Sequence, residues 1–118
     1  MNKIVRIKEN RDFRRAYHRA ASLVSPYVAV YYMKNRYGNI RLGITVGKKI
    51  GGAVARNRAK RVIRAAFSGC LPYICTGYDF IIVARTRILS VKSTQVQKSI
   101  MKLFAKADLC SENEKITD

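Results

Sequence analysis

The side chains best equipped for chemistry crowd into one stretch. Between Gly47 and Phe67 the chain carries Lys48, Lys49, Arg56, Asn57, Arg58, Lys60, Arg61 and Arg64, and no acid. On a helix turning about 100° per residue, Ala55, Ala59, Val62, Ile63, Ala66 and Phe67 gather on one side. Asn57, Lys60, Arg61 and Arg64 gather opposite, with Arg58 at a border. Arg56 falls beside the apolar stripe, so its side chain must reach past the helix end or pair there. A face of this kind suits multivalent contact with a polyanion. An ordinary solvated face would interleave acids four residues from its bases, and here there are none. Lys48 and Lys49 precede Gly51-Gly52, a turn at which phosphate can approach backbone and ammonium groups together, although that feature alone identifies nothing.

Other chemistry is poorly supplied. Hydrolysis of a phosphodiester by the protein itself needs clustered carboxylates for metal ions, or a general acid and base near the phosphate. Glu9, Asp12 and Asp79 are few and scattered, and His18 sits alone in an Arg-rich segment as a solvated or packing histidine. No catalytic residue and no metal ligand is assigned. Cys70, Cys75 and Cys110 have no ligand-type spacing and are expected to be reduced thiols.

The charge balance agrees with the basic stretch. In 118 residues there are 24 Lys+Arg against 7 Asp+Glu, a formal charge of +17, which a body this small tolerates best when a polyanion compensates it. Asp108, Glu112, Glu114 and Asp118 lie at the end, so the remainder is more basic still. Apolar residues make up 48% of the chain, enough to exclude a wholly disordered basic tail. One α-β domain is expected over residues 1–107, followed by a frayed, polar, acidic tail over 108–118. The N-terminus lacks an apolar leader core and no run is long enough to span a bilayer, so the expectation is a cytoplasmic protein with no membrane contact.

The elements that must position these residues are legible from periodicity. Phe13, Ala16, Tyr17, Ala20 and Ala21 form a helical stripe with Asn10 as candidate N-cap. A short strand is weakly signalled at Ser22–Val24, and Tyr27–Met33 reads as a β-branched and aromatic strand. Its expected hairpin partner is Ile40–Val46, where Ile40, Leu42, Ile44 and Val46 alternate with Arg41, Gly43 and Thr45. A helix over about Ala53–Phe67 carries the basic face. Tyr78–Ala84 scarcely alternates and reads as a central strand buried on both faces. Val96, Ile100, Leu103 and Phe104 mark a last helix, capped by Ser93 or Thr94.

The run Gly-Lys-Lys-Ile-Gly-x-Ala-Val-x-Arg-Asn-Arg-x-Lys-Arg-x-Ile-Arg-x-Ala-Phe over residues 47–67 resembles, without gaps, the Arg-Asn-Arg signature of the bacterial ribonuclease P protein family. Phe13, Tyr17, Tyr31 and Asp79-Phe-Ile-Ile-Val-Ala-Arg85 extend the likeness to roughly residues 6–106. Gly47 stands where Ser is expected, and Gly52 where Asn is common. The resemblance implies an α+β fold: a two-layer α-β sandwich of order αβββαβα on a four-stranded, mostly antiparallel sheet, with a left-handed crossover through the basic helix. It also implies the protein component of ribonuclease P, a non-catalytic subunit of an endoribonuclease whose RNA carries out the chemistry. The implied partners are the catalytic RNA and the single-stranded 5′ leader of precursor tRNA, with no obligate protein partner. Mg²⁺ would serve the holoenzyme, held chiefly by the RNA.

By pattern alone Phe13 and Tyr17 are core residues. The resemblance instead places Phe13, Tyr17 and Tyr31 along a leader-binding cleft, where aromatic faces stack on bases of any sequence. Two other functions share the charge. A structural RNA-binding protein of ribosomal type is the main rival. A basic-helix DNA binder fits less well, since no helix-turn-helix or heptad segment accompanies the basic helix.

Overall fold

A strand as uniformly apolar as Tyr78–Ala84 must be covered on both faces and flanked on both edges. The computed structural model, which describes residues 4–110, gives it that place. In chain order the elements are β1 (Ile4–Arg6), α1 (Asn10–Arg19), β2 (Ala21–Val24), β3 (Val28–Lys34), β4 (Ile40–Thr45), α2 (Ala53–Cys70), β5 (Tyr78–Ala84) and α3 (Ser93–Lys106). They build one mixed sheet in the order β1-β4-β5-β3-β2, with Phe80, Ile81 and Ile82 of β5 fully buried at its centre.

The four strands read from the sequence are all present, the short β2 included. Two of their three pairings are antiparallel, β2 with β3 and β3 with β5, while β4 runs parallel to β5 and reaches it through α2 as a crossover. A fifth strand, β1, joins the edge in parallel with β4. The expected hairpin between β3 and β4 does not form. Lys34 and Ile40 both pair with Tyr78, so β5 separates the two strands. The loop between them must therefore cross two strand spacings, about 10 Å. Gly77 makes that crossing possible: it accepts from Asn35 N at 2.8 Å and donates to Asn39 O at 3.0 Å. Alternation in β4 fixed which side chains share a face, but it carries no information about the neighbouring strand.

α2 and α3 cover one face of the sheet. Ala59, Ile63, Ala66 and Phe67 of α2 meet Val96, Ile100 and Phe104 of α3 over Val28, Val30, Phe80 and Ile82. The rings of Phe67, Phe80 and Phe104 form a mutually touching trio with centroids 5.1–6.4 Å apart. Truncating any one of these rings should cost about 3–5 kcal/mol. α1 crosses the opposite face, where Ile7, Ala16 and Ile81 form a smaller core flanked by Phe13, Tyr31 and Met33.

Several boundaries move from their sequence-based positions. Glu9 is the N-cap of α1, and Asn10 is its first helical residue with no side-chain cap bond. Lys92 precedes α3 rather than Ser93 or Thr94, and Gln95 Oε1 accepts from its N–H at 3.1 Å. α2 continues one turn beyond Phe67, because Cys70 is also buried. The polar tail starts later than residue 108. Leu109 and Cys110 are buried, Leu109 N–H donates to Phe104 O at 2.8 Å, and Asp108 takes the left-handed conformation (φ 60°) that closes the helix. The rest of the expected tail, residues 111–118, lies outside the described residues. No disulfide joins Cys70, Cys75 and Cys110, and no helix among the described residues is long and apolar enough to cross a membrane.

Candidate nucleic-acid interface

The basic helix begins at a constrained turn. Ile50 is buried and anchors the 3-10 turn Lys48–Ile50, leaving both lysines exposed. Gly51 follows at φ 143°, where a Cβ would lie 3.0 Å from Ala55 Cβ, so only glycine suits the bend. Burial of the Ala59, Ile63, Ala66 and Phe67 stripe then turns Asn57, Arg58, Arg61 and Arg64 outward to solvent, with Lys60 half-buried beside them. No ion pair among the described residues engages any cation of α2 or of the preceding turn. Arg56 lies against the protein as its wheel position requires. Its Nε is buried without a hydrogen-bond partner, leaving a donor that an incoming acceptor could satisfy.

On the opposite face, α1 brings the aromatic residues together. Tyr17 and Tyr31 meet edge to face with centroids 5.0 Å apart, and Tyr17 remains 42% exposed. The Tyr17 hydroxyl and Thr45 Oγ1 share a hydrogen bond of 3.0 Å. Phe13 packs against β4 at Gly43, where an added Cβ would stand 2.7 Å from Phe13 Cζ. All three aromatics therefore share one strip between α1 and the sheet. Phe13 also borders a groove that reaches Lys60 and Arg64, so residues far apart in sequence meet around the β4 edge of the sheet.

The acids are less scattered than their sequence positions suggest. Asp12 of α1 and Asp79 of β5 both hold Arg41 of β4, Asp12 Oδ2 at 3.0 Å from Nη2 and Asp79 Oδ2 at 3.4 Å from Nη1. Asn35 Nδ2 donates to the other Asp79 oxygen at 2.9 Å, and the Tyr37 ring lies 4.9 Å from the Arg41 guanidinium carbon. The three charged side chains are between 14% and 18% exposed, so this is a half-dry clamp fastening the start of α1 to the sheet. Sequence reading missed it, along with Gly43 and Thr45. The signal was available in the β4 alternation, which puts Arg41, Gly43 and Thr45 on the face that α1 covers. His18 is exposed on α1, and no group of three His, Cys, Asp or Glu among the described residues could hold a metal ion.

The family model for ribonuclease P matches residues 1–108. The chain belongs to the ribonuclease P protein family. A ribonuclease P protein component from Thermoanaerobacter sp. strain X514 is 39% identical over 113 residues, 96% of this chain and 97% of that one. Among solved structures, the Staphylococcus aureus RNase P protein at 2.0 Å superposes with a TM-score of 0.80 at 35% identity, covering 92% of this chain and 100% of that one. The Thermotoga maritima RNase P protein gives a TM-score of 0.75 at 30% identity over 83% and 93% of the two chains. The Arg-Asn-Arg resemblance and the α+β fold it implied are thereby upheld. In this chain the two covered faces of the sheet carry different chemistry: an exposed cationic helix on one and an aromatic strip on the other.

Proposed function

We propose that this chain is the non-catalytic protein subunit of a ribonuclease P. It binds the catalytic RNA and the single-stranded 5′ leader of precursor tRNA, and so promotes endonucleolytic removal of the leader in the cytoplasm. The observation that carries this reading is the pairing of two unlike surfaces on one small body. Lys48, Lys49, Asn57, Arg58, Lys60, Arg61 and Arg64 offer donors that no acid among the described residues pairs with, which suits the phosphates of a folded RNA. Arg56 adds its unsatisfied Nε. Phe13, Tyr17 and Tyr31 offer ring faces and edges in an open strip, which suits unpaired bases of varied sequence.

The described residues do not make a Mg²⁺ site. Asp12 and Asp79, the only carboxylates among the described residues brought together near the strip, already share Arg41. Mg²⁺ in this reading belongs to the RNA, and the protein contributes binding, orientation and charge screening. The test is reconstitution: the protein should restore precursor-tRNA cleavage to the catalytic RNA at low Mg²⁺, and by itself should leave precursor tRNA intact. A structural RNA-binding protein of ribosomal type would bind RNA without restoring cleavage. Mg²⁺-dependent cutting by RNA-free protein, persisting in the Arg58 and Arg61 variants, would overturn the subunit reading.

A further inference from the structure

The sheet is open where β1 ends. β1 pairs with β4 only through Ile40, Arg41 and Leu42, and the Ile7 N–H closes the ladder on Leu42 O at 2.9 Å. Beside this edge lies a groove of about 600 Å³. Leu42 and Ile44 give it an apolar floor, and the Phe13 ring, from the other face of the sheet, borders its mouth. Its rim carries Arg6 and Lys8, from β1 and the turn after it, and Lys60 and Arg64 from α2. Among the described residues no acid lines the groove, and no ion pair or hydrogen bond engages those four side chains. The volume falls in the range of small-ligand sites, about 300–1,000 Å³, too little for a turn of duplex.

An apolar slot ringed by cations selects a ligand with a flat apolar body and anionic flanks. We propose that the groove is a pocket for one unpaired RNA nucleotide, its base against the Leu42–Ile44 floor with Phe13 at the mouth, its flanking phosphates on Arg6 and Lys8 and on Lys60 and Arg64. This rests on the RNA-binding reading above and adds a site to it. Phe13 is the shared wall: the ring that covers Gly43 on the aromatic strip also borders the groove. A strand lying on Tyr17 and Tyr31 is thereby led past Phe13 toward the basic helix. The nucleotide can belong to the precursor leader or to the catalytic RNA, and the chemistry of recognition is the same.

Two variants probe the groove independently. Ser68→Trp, at an exposed position of α2 on the groove wall, narrows it without changing charge. Arg6→Ala with Lys8→Ala, both at exposed positions, removes two cations and leaves α2 untouched. The probe is a fluorescent single-stranded RNA hexamer, with a hexamer duplex as control and melting of each free variant as the folding check. Loss of one base contact predicts about tenfold weaker hexamer binding for Ser68→Trp, an unchanged salt slope, and duplex binding within about twofold of wild type. The double Ala variant should flatten the log affinity versus log salt slope for the hexamer by about 1.4. In the holoenzyme, a Ser68→Trp defect confined to leader-bearing precursor assigns the nucleotide to the leader, and a defect in binding the catalytic RNA assigns it to that RNA. If wild-type protein binds the hexamer and both variants match it in affinity and slope, the pocket is refuted while the RNA-binding reading stands. If wild-type protein binds neither hexamer nor catalytic RNA, both fail. Should Ser68→Trp not fold, the slope of the Arg6/Lys8 variant decides.

Discussion

Replacing Tyr17 by Ala separates ligand binding from core packing, and the structure sets the size of each effect. Truncating a buried aromatic costs about 3–5 kcal/mol, and Tyr17 is 42% exposed, so roughly half of that, about 2 kcal/mol, is expected here. The edge contact with Tyr31 is included in that figure, and the exposed bond to Thr45 adds little. For an ordered body of this length 1 kcal/mol corresponds to about 4 °C, so melting of the free protein should fall by about 8 °C. A domain stable by about 5–15 kcal/mol stays folded after such a loss. Binding should respond differently: one lost stacking partner removes about 1–3 kcal/mol, or roughly fivefold to more than a hundredfold in affinity, from precursor tRNA alone. The assay is holoenzyme affinity for precursor and for mature tRNA, measured beside the melt. Tyr17→Phe, which keeps the ring and loses only the hydroxyl bond, should bind precursor within about twofold of wild type. A melting drop well beyond 15 °C with equal weakening of both tRNAs would return Tyr17 to the core and refute the strip as a leader surface.

On the cationic helix, the combined Ala variant of Lys60, Arg61 and Arg64 should flatten the log affinity versus log salt slope for the catalytic RNA by about 2 to 3, and an unchanged slope would make that face a merely solvated one. Gly43→Ala sets a Cβ 2.7 Å from Phe13 Cζ, so the ring must swing away. Leader-dependent affinity should then fall together with a stability loss of about 1–3 kcal/mol, seen by melting and by the precursor-to-mature affinity ratio. Burial, and secondarily Cys110, pushes the Cys70 thiol from 9.0 up to about 12. The fold therefore holds a proton that the unfolded chain gives up: the stability is intact below pH 9 and is lost as pH rises toward 12, by up to about 1.4 kcal/mol per unit. Melting of wild type between pH 8 and pH 10.5 should fall more steeply than that of Cys70→Ala.

The parts legible in the sequence were those that depend on one element at a time. The 3.6-residue stripe of α2 fixed which cations face solvent, and the unbroken apolar run of β5 fixed a central strand. What escaped depends on pairs of elements. A five-residue loop with a turn-like composition suggested a hairpin, yet the register places Tyr78 between Lys34 and Ile40. β1 is three residues long, too short for a period to show, and it exists because β4 offers it a ladder. Asp12 and Asp79 looked scattered because 66 positions separate them, and only the sheet brings both to Arg41. Leu109 and Cys110 were masked by acidic neighbours, although their apolar side chains dock where Ile74 and Cys75 receive them.

The few acids also explain how a chain of charge +17 keeps a defined strip beside a cationic face. Self-repulsion is left unanswered along α2, where Asn57, Arg58, Arg61 and Arg64 point outward and salt within a Debye length of about 8 Å screens them. It is answered at Arg41, where two carboxylates and an aromatic ring enclose one guanidinium at 14% exposure, beyond the reach of most screening. Asp12 immediately precedes Phe13, so that enclosure sets where the Phe13 ring meets Gly43 and, one helical turn on, where Tyr17 meets Thr45. On the proposed reading, added salt should therefore weaken RNA binding along α2 while leaving the shape of the strip intact. The proposed function thereby assigns affinity and discrimination to different residues: on that reading the exposed cations set how tightly RNA binds, and the clamped aromatic strip sets whether an unpaired leader is recognised.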